Sequence, residues 1–144
     1  MDKLVMEFNI YIDDTQCSQM SGKYGTVVFI PFTGRVASDL FNGEILPGAA
    51  DIQVENPAGC RNMCAKYMFK GTDFKGNPCY LFVENNGYFN EANKNDPWMN
   101  AYPRFITDSL DLGAYLSQAR FRSEVHGAKG GVTIRIFDVL EQEP

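Results

Sequence analysis

Leu4-Val5-Met6-Glu7-Phe8-Asn9-Ile10-Tyr11-Ile12 opens the chain in regular alternation: Leu4, Met6, Phe8, Ile10 and Ile12 share one parity, and Val5, Glu7, Asn9 and Tyr11 the other. Successive side chains of a strand point to opposite faces, so this pattern predicts a strand with one buried face. The same reading repeats along the chain. Tyr24 to Phe32 carries Val27, Val28, Phe29 and Ile30, apolar on both parities, and predicts a strand buried on two sides, with Pro31 suiting an edge, a bulge or a strand end. Ile52 and Val54 alternate with Gln53 and Glu55. Met63, Ala65, Tyr67 and Phe69 alternate with Cys64, Lys66, Met68 and Lys70. Cys79 to Glu84, Pro103 to Thr107, Ala119 to Val125 and Val132 to Val139 read as further strands, the first ending in a turn at Asn85-Asn86-Gly87-Tyr88.

Helix signals are scarce. Asp108 to Gln118 holds one or two turns at most, because Asp111 to Leu116 lacks strand alternation. Asp13 to Gly22 and Asn90 to Asn100 are polar and read as loops, the second as a long surface excursion or lid. No strand–helix–strand alternation or fixed-length repeat is present. The expectation is one all-β domain over residues 1–144, with eight to ten antiparallel strands. Such a sheet buries a face as a sandwich or by closing on itself, and the periodicity fits both.

Composition narrows the function. The chain has 144 residues, 44% of them hydrophobic, enough for a core of its own. Thirteen basic against 18 acidic residues give a net charge of −5 with no long basic cluster, so neither nucleic acid nor an anionic membrane surface is an expected partner. The N-terminal residues show no secretory pattern, and a cytoplasmic address is expected. Cys17, Cys60, Cys64 and Cys79 lack the paired knuckles of a structural zinc site, and His126 is the single histidine. Free cysteines packed in or near the core are expected, with no metal and no cofactor. Glycine-rich phosphate loops, a nucleophile elbow and a zinc-protease helix are all missing from the sequence.

One block is specific enough to carry a resemblance. Gly43-Glu44-Ile45-Leu46-Pro47-Gly48-Ala49-Ala50-Asp51 resembles the Gly-Glu-Val-Leu-Pro-Gly-Gly-Ala-Asp stretch of the DUF3237 family, also catalogued as UPF0311, of small bacterial and fungal proteins. Val28 to Arg35, Ala65-Lys66-Tyr67, Cys79 to Gly87, Pro103-Arg104-Phe105, Tyr115-Leu116-Ser117 and Ile136 to Val139 extend the likeness over nearly the whole chain. Three positions depart from the family pattern: Ala49 for glycine, Asn86 for a basic residue and Ser117 for asparagine. Ala49 therefore needs no positive φ. The resemblance implies a closed or nearly closed antiparallel β-barrel with little helix, and a fold more readily than a function.

An eight-stranded barrel encloses room for side chains or one small ligand. The expected function is therefore binding of a small, partly apolar organic molecule, with homo-oligomerisation possible. The alternatives are a cofactor-independent enzyme (isomerase, cyclase or lyase) and a self-associating β protein without a ligand. Glu44 and Asp51 flank a rigid Pro-Gly bend and are the candidate acid/base pair. Tyr67 and Tyr80 are candidate pocket walls, and Asn85 a candidate hydrogen-bond partner. Trp98 and Tyr102 are candidates for the cavity mouth. Arg104 would clamp a carboxylate ligand or pair with Glu44 or Asp51. The expectation is that Asp51 and at least one of Glu44 and Arg104 share one cavity.

Overall fold

The computed structural model describes residues 2–89, 99–118 and 120–139. Its strands run in chain order as β1 (Lys3–Ile12), β2 (Ser18–Gly22), β3 (Gly25–Ala37), β4 (Phe41–Ile45), β5 (Ala50–Glu55), β6 (Arg61–Asp73), β7 (Pro78–Phe89), β8 (Met99–Thr107), β9 (Phe121–Ala128) and β10 (Gly131–Asp138). One α-helix, α1 (Leu110–Leu116), and a short 3-10 turn, Asp14–Gln16, are the helical elements among the described residues.

All pairings are antiparallel, and the sheet closes on itself. β1 pairs β10 on one side and β3 on the other, completing the ring β1-β10-β9-β8-β7-β6-(β4, β5)-β3. β4 and β5 together form one stave. Both lie between β3 and β6, β4 against Phe69–Asp73 and β5 against Arg61–Lys66. The result is a closed barrel of eight staves, with β2 hairpinned onto the projecting end of β3.

The break between β4 and β5 is the Leu46-Pro47-Gly48-Ala49 stretch. Pro47 offers no N–H for a ladder, and Gly48 sits at φ +104°, where a side chain would be strained. The chain bows outward there, yet stays tied to both neighbours. Leu46 donates its N–H to the Met68 carbonyl at 2.8 Å, and Ala49 accepts from the Phe32 N–H at 3.2 Å. Ala49 lies outside the positive-φ region, as its substitution for glycine implies. Where β4 meets β6 the backbones nearly touch: a Cβ on Gly71 would lie 1.8 Å from the Asn42 carbonyl oxygen.

One end of the barrel is packed solid. Phe8, Phe41, Phe69, Leu81, Val83 and Ile136 are fully buried there, with Phe8 and Phe69 ring centroids 4.9 Å apart. α1 plugs this end with Leu112 and Leu116. Its start is fixed by Ser109, whose hydroxyl accepts from the Leu112 N–H at 3.1 Å and donates to Asp73 on β6 at 2.7 Å.

Three expectations change. Most of the predicted Asp13–Gly22 loop is ordered into the 3-10 turn and β2. Every residue of β2 is exposed, so no buried face imprints an alternation on its sequence. β3 is not buried on two sides: Phe29 projects outward and is 49% exposed. Of the four cysteines, all free, Cys79 alone is buried, and Cys60 is exposed. Among the described residues no helix is long and apolar enough to cross a membrane.

Candidate functional site

The strand parities decide what the barrel interior contains. On β6, Met63, Ala65, Tyr67 and Phe69 face inward, as their apolar alternation predicts. On β5 the usual rule inverts. Gln53 is buried and Asp51 faces inward, while Ile52 and Val54 lie outside at 39% and 44% exposure. β7 carries Leu81, Val83 and then Asn85 on its inner face, and β9 carries Phe121, Ser123 and Val125. Asp51 pairs with Ala65, and Ala65 with Asn85, so the three stand in one row across β5, β6 and β7.

This row borders a cavity of about 130 Å³ in the half of the barrel that the phenylalanines leave unfilled. Ile10, Ile30, Met63, Val125, Val132 and Ile134 supply most of its wall, and Asp51, Gln53 and Asn85 supply its polar groups. A shallower surface groove lies over the Pro47-Gly48 bow, and Ile12 and Phe32 border both spaces.

The polar groups are held by a chain of contacts. Glu55 pairs with the Arg61 Nε at 3.1 Å, Arg61 Nη1 donates to Gln53 Oε1 at 3.2 Å, and Gln53 Nε2 donates to Asp51 Oδ2 at 2.8 Å. Asp51 Oδ1 is buried and has no partner within the chain. Asn85 is fully buried. Its Oδ1 accepts from the Ser123 hydroxyl at 2.9 Å, while its Nδ2 has no partner. The Tyr67 ring packs on Phe8, Phe32 and Phe69, and its buried hydroxyl is also without a partner. Each such group costs about 1–3 kcal/mol of stability.

Burial raises the Asp51 carboxyl above its ordinary range, against the opposing pull of the Gln53 amide and the Cys64 backbone N–H. Burial, and then the Asp51 charge, push the Tyr67 hydroxyl up as well, so it stays a protonated donor. The site therefore offers one carboxylate oxygen and one amide N–H to an apolar chamber, with the Tyr67 hydroxyl buried behind its lining. Among the described residues no cluster of three or more His, Cys, Asp or Glu side chains is placed to hold a metal ion.

Of the residues singled out from sequence, Asp51 and Asn85 line this cavity, and Tyr67 stands behind its lining, close enough to feel the Asp51 charge. Asn85 is not in a turn. β7 runs straight through it to Phe89, because the inward amide has Ser123 to bond. Glu44 is exposed on the outer face of β4, opposite Arg35 and Lys70. Arg104 is also outside. It pairs with Glu84 at 3.4 Å rather than with Glu44 or Asp51, so neither Glu44 nor Arg104 shares the Asp51 cavity. Tyr80 and Tyr102 project outward at 42% and 74% exposure. Trp98 lies outside the described residues. Gln53, Arg61 and Ser123 were not anticipated. Ser123 and Asn85 had a signal, a polar residue in an otherwise apolar inward row.

The solved structures it resembles share the fold. A protein of unknown function from Clostridium acetobutylicum ATCC 824 is 22% identical, with a TM-score of 0.76 and 96% of each chain covered. A conserved protein of unknown function from Rhodopseudomonas palustris is 22% identical, with a TM-score of 0.72 and 95% of each chain covered. A β-barrel-like protein from Acinetobacter baumannii AYE is 16% identical, with a TM-score of 0.62 over 95% of this chain and 94% of that one. No curated protein matches the sequence. The family model for DUF3237, a protein of unknown function, matches residues 3–139, and the chain belongs to the DUF3237 family.

Proposed function

We propose that the protein binds a small, partly apolar organic molecule in the barrel cavity, with a polar atom of the ligand meeting Asp51 or Asn85. The observation that carries this reading is the set of buried polar atoms without partners beside an apolar chamber. Each such group costs stability where it stands, and a ligand that supplies the missing hydrogen bonds recovers that cost. Size sets the ligand class. At about 130 Å³ the cavity is slightly smaller than the ~150 Å³ that takes up benzene, so it suits a ligand of no more than about six or seven heavy atoms, and anything larger extends beyond it.

Cyclohexanone and cyclohexane, matched in shape, test the reading. Saturable binding of cyclohexanone, tighter than cyclohexane by about tenfold for one recovered hydrogen bond, is expected in an NMR titration. Ala65→Leu fills the space between Asp51 and Asn85 and should abolish it. Absence of saturable binding, or binding that Ala65→Leu leaves unchanged, refutes the proposal.

A further inference from the structure

Resting on that binding reading, we infer that the cavity is a proton-transfer site for small enolisable ketones: Asp51 takes a proton from the carbon next to the carbonyl, and Asn85 donates to the carbonyl oxygen. The argument is one of placement and of which atoms are left free.

Asp51 is oriented from behind. The Glu55–Arg61–Gln53 chain engages Oδ2, leaving Oδ1 as the oxygen without a partner. A carboxylate meant only to neutralise a cation would be met by that cation. Here Arg61 is turned onto Gln53 and Glu55. Asn85 is oriented in the complementary sense. Ser123 occupies its acceptor, so the amide presents only a donor, Nδ2. The Tyr67 hydroxyl lies behind the lining, close enough to feel the Asp51 charge, and burial keeps it protonated. One base and one donor facing the cavity match the needs of enolisation, where negative charge develops on oxygen as a proton leaves carbon.

The spacing fits a ring. Asp51 and Asn85 occupy the same row on β5 and β7, with Ala65 of β6 between them. Two strand spacings separate their backbones by roughly 9–10 Å, and a methyl group at the middle position leaves the gap open. The wall is aliphatic, so the base is poorly hydrated and the donor acts in a low dielectric.

The step balances without a cofactor. Asp51 Oδ1 forms an O–H bond as the C–H bond breaks. The C–H pair becomes the carbon–carbon double bond of the enolate, and the carbonyl π pair moves to the oxygen held by Asn85. Asp51 then returns the proton, either to the same carbon or, in a β,γ-unsaturated ketone, to the far end of the dienolate. The latter gives the conjugated isomer and regenerates the carboxylate.

The test uses unconjugated cyclohexenone, whose isomerisation raises the ultraviolet absorbance of the conjugated product. The wild type should accelerate this over acetate at the same carboxylate concentration. Asp51→Asn should lower the rate at least 100-fold, and Asn85→Leu at least tenfold. Glu44→Gln, on the outer face, should leave it unchanged. Binding of cyclohexanone and the melting temperature are measured on each variant, so a misfolded protein is recognised and Asn85→Leu carries the test if Asp51→Asn fails to fold. Cyclohexanone binding without isomerisation overturns this inference and leaves the binding reading standing. A rate retained in Asp51→Asn also overturns it. Failure of either ketone to bind overturns both.

Discussion

Asp51→Asn should stabilise the protein at neutral pH, opposite to the effect of removing a structural carboxylate. Asp51 Oδ1 is buried without a partner, and burial raises the carboxyl above its ordinary 3.8. A carboxyl with a raised folded pKa binds its proton more tightly in the fold than in the unfolded chain. Stability from this group is therefore undiminished below the unfolded value, falls as pH climbs through the raised folded value, and stays low above it. Asparagine keeps the volume and removes the charge. One buried unsatisfied group is worth about 1–3 kcal/mol, and the lower half applies because a polar amide remains. The unfolding entropy of a 144-residue chain is ~0.3 kcal/mol/K, so ~1–1.5 kcal/mol raises Tm by ~3–5 °C. Melting wild type and variant in parallel from pH 8 down to about pH 4 checks it: the advantage of the variant should be largest at the high end and shrink as pH falls. A variant less stable than wild type by several degrees at pH 8, or a difference that ignores pH, would refute the reasoning and make Asp51 a structural residue.

Arg120 Nη2 lies 3.1 Å from the fully buried Asp138, and its guanidinium covers the Tyr115 ring, so Arg120→Ala strips a countercharge and a packed plane together. It should cost about 3 kcal/mol or more in urea unfolding. Gly71→Ala should cost at least ~2 kcal/mol by forcing β4 and β6 apart, whereas Gly22→Ala, with open space around it, should change stability by less than ~0.5 kcal/mol, both read by thermal melting. Glu44→Gln and Arg104→Gln should leave cyclohexanone affinity unchanged and stability within ~1 kcal/mol, because both side chains lie exposed on the outer surface.

Much of the barrel was legible because half-buried strands write their burial into alternate residues. Leu4 to Ile12 and Met63 to Phe69 are the clearest cases. β2 was not legible, since a strand exposed on both faces imposes no pattern. The site was legible where rigid backbone or a polar residue drew attention to it, at Asp51 and Asn85, whereas Tyr67 proved to lie behind the cavity wall. It was misread where chain proximity stood in for facing. Glu44 and Asp51 flank the same bend, but β4 turns Glu44 outward and β5 turns Asp51 inward. Arg104 follows the excursion, yet shares its parity with the exposed Tyr102 and Ile106. The polar interior of β5 was hidden because Ile52 and Val54 mimic a core row while lying on the surface. Parity had to be anchored by pairing with β6 before the alternation could be assigned a side.

The side-chain amide resonances of Asn85 report most directly on the central claim, because Nδ2 is buried beside the cavity and has no partner of its own. On titration with cyclohexanone they should shift saturably, together with the methyl resonances of Ala65 and Val125, while the amide of Asn42 on the outer face stays still. Unmoved Asn85 resonances at saturating cyclohexanone, or shifts confined to outward residues such as Tyr80 and Tyr102, would contradict the account.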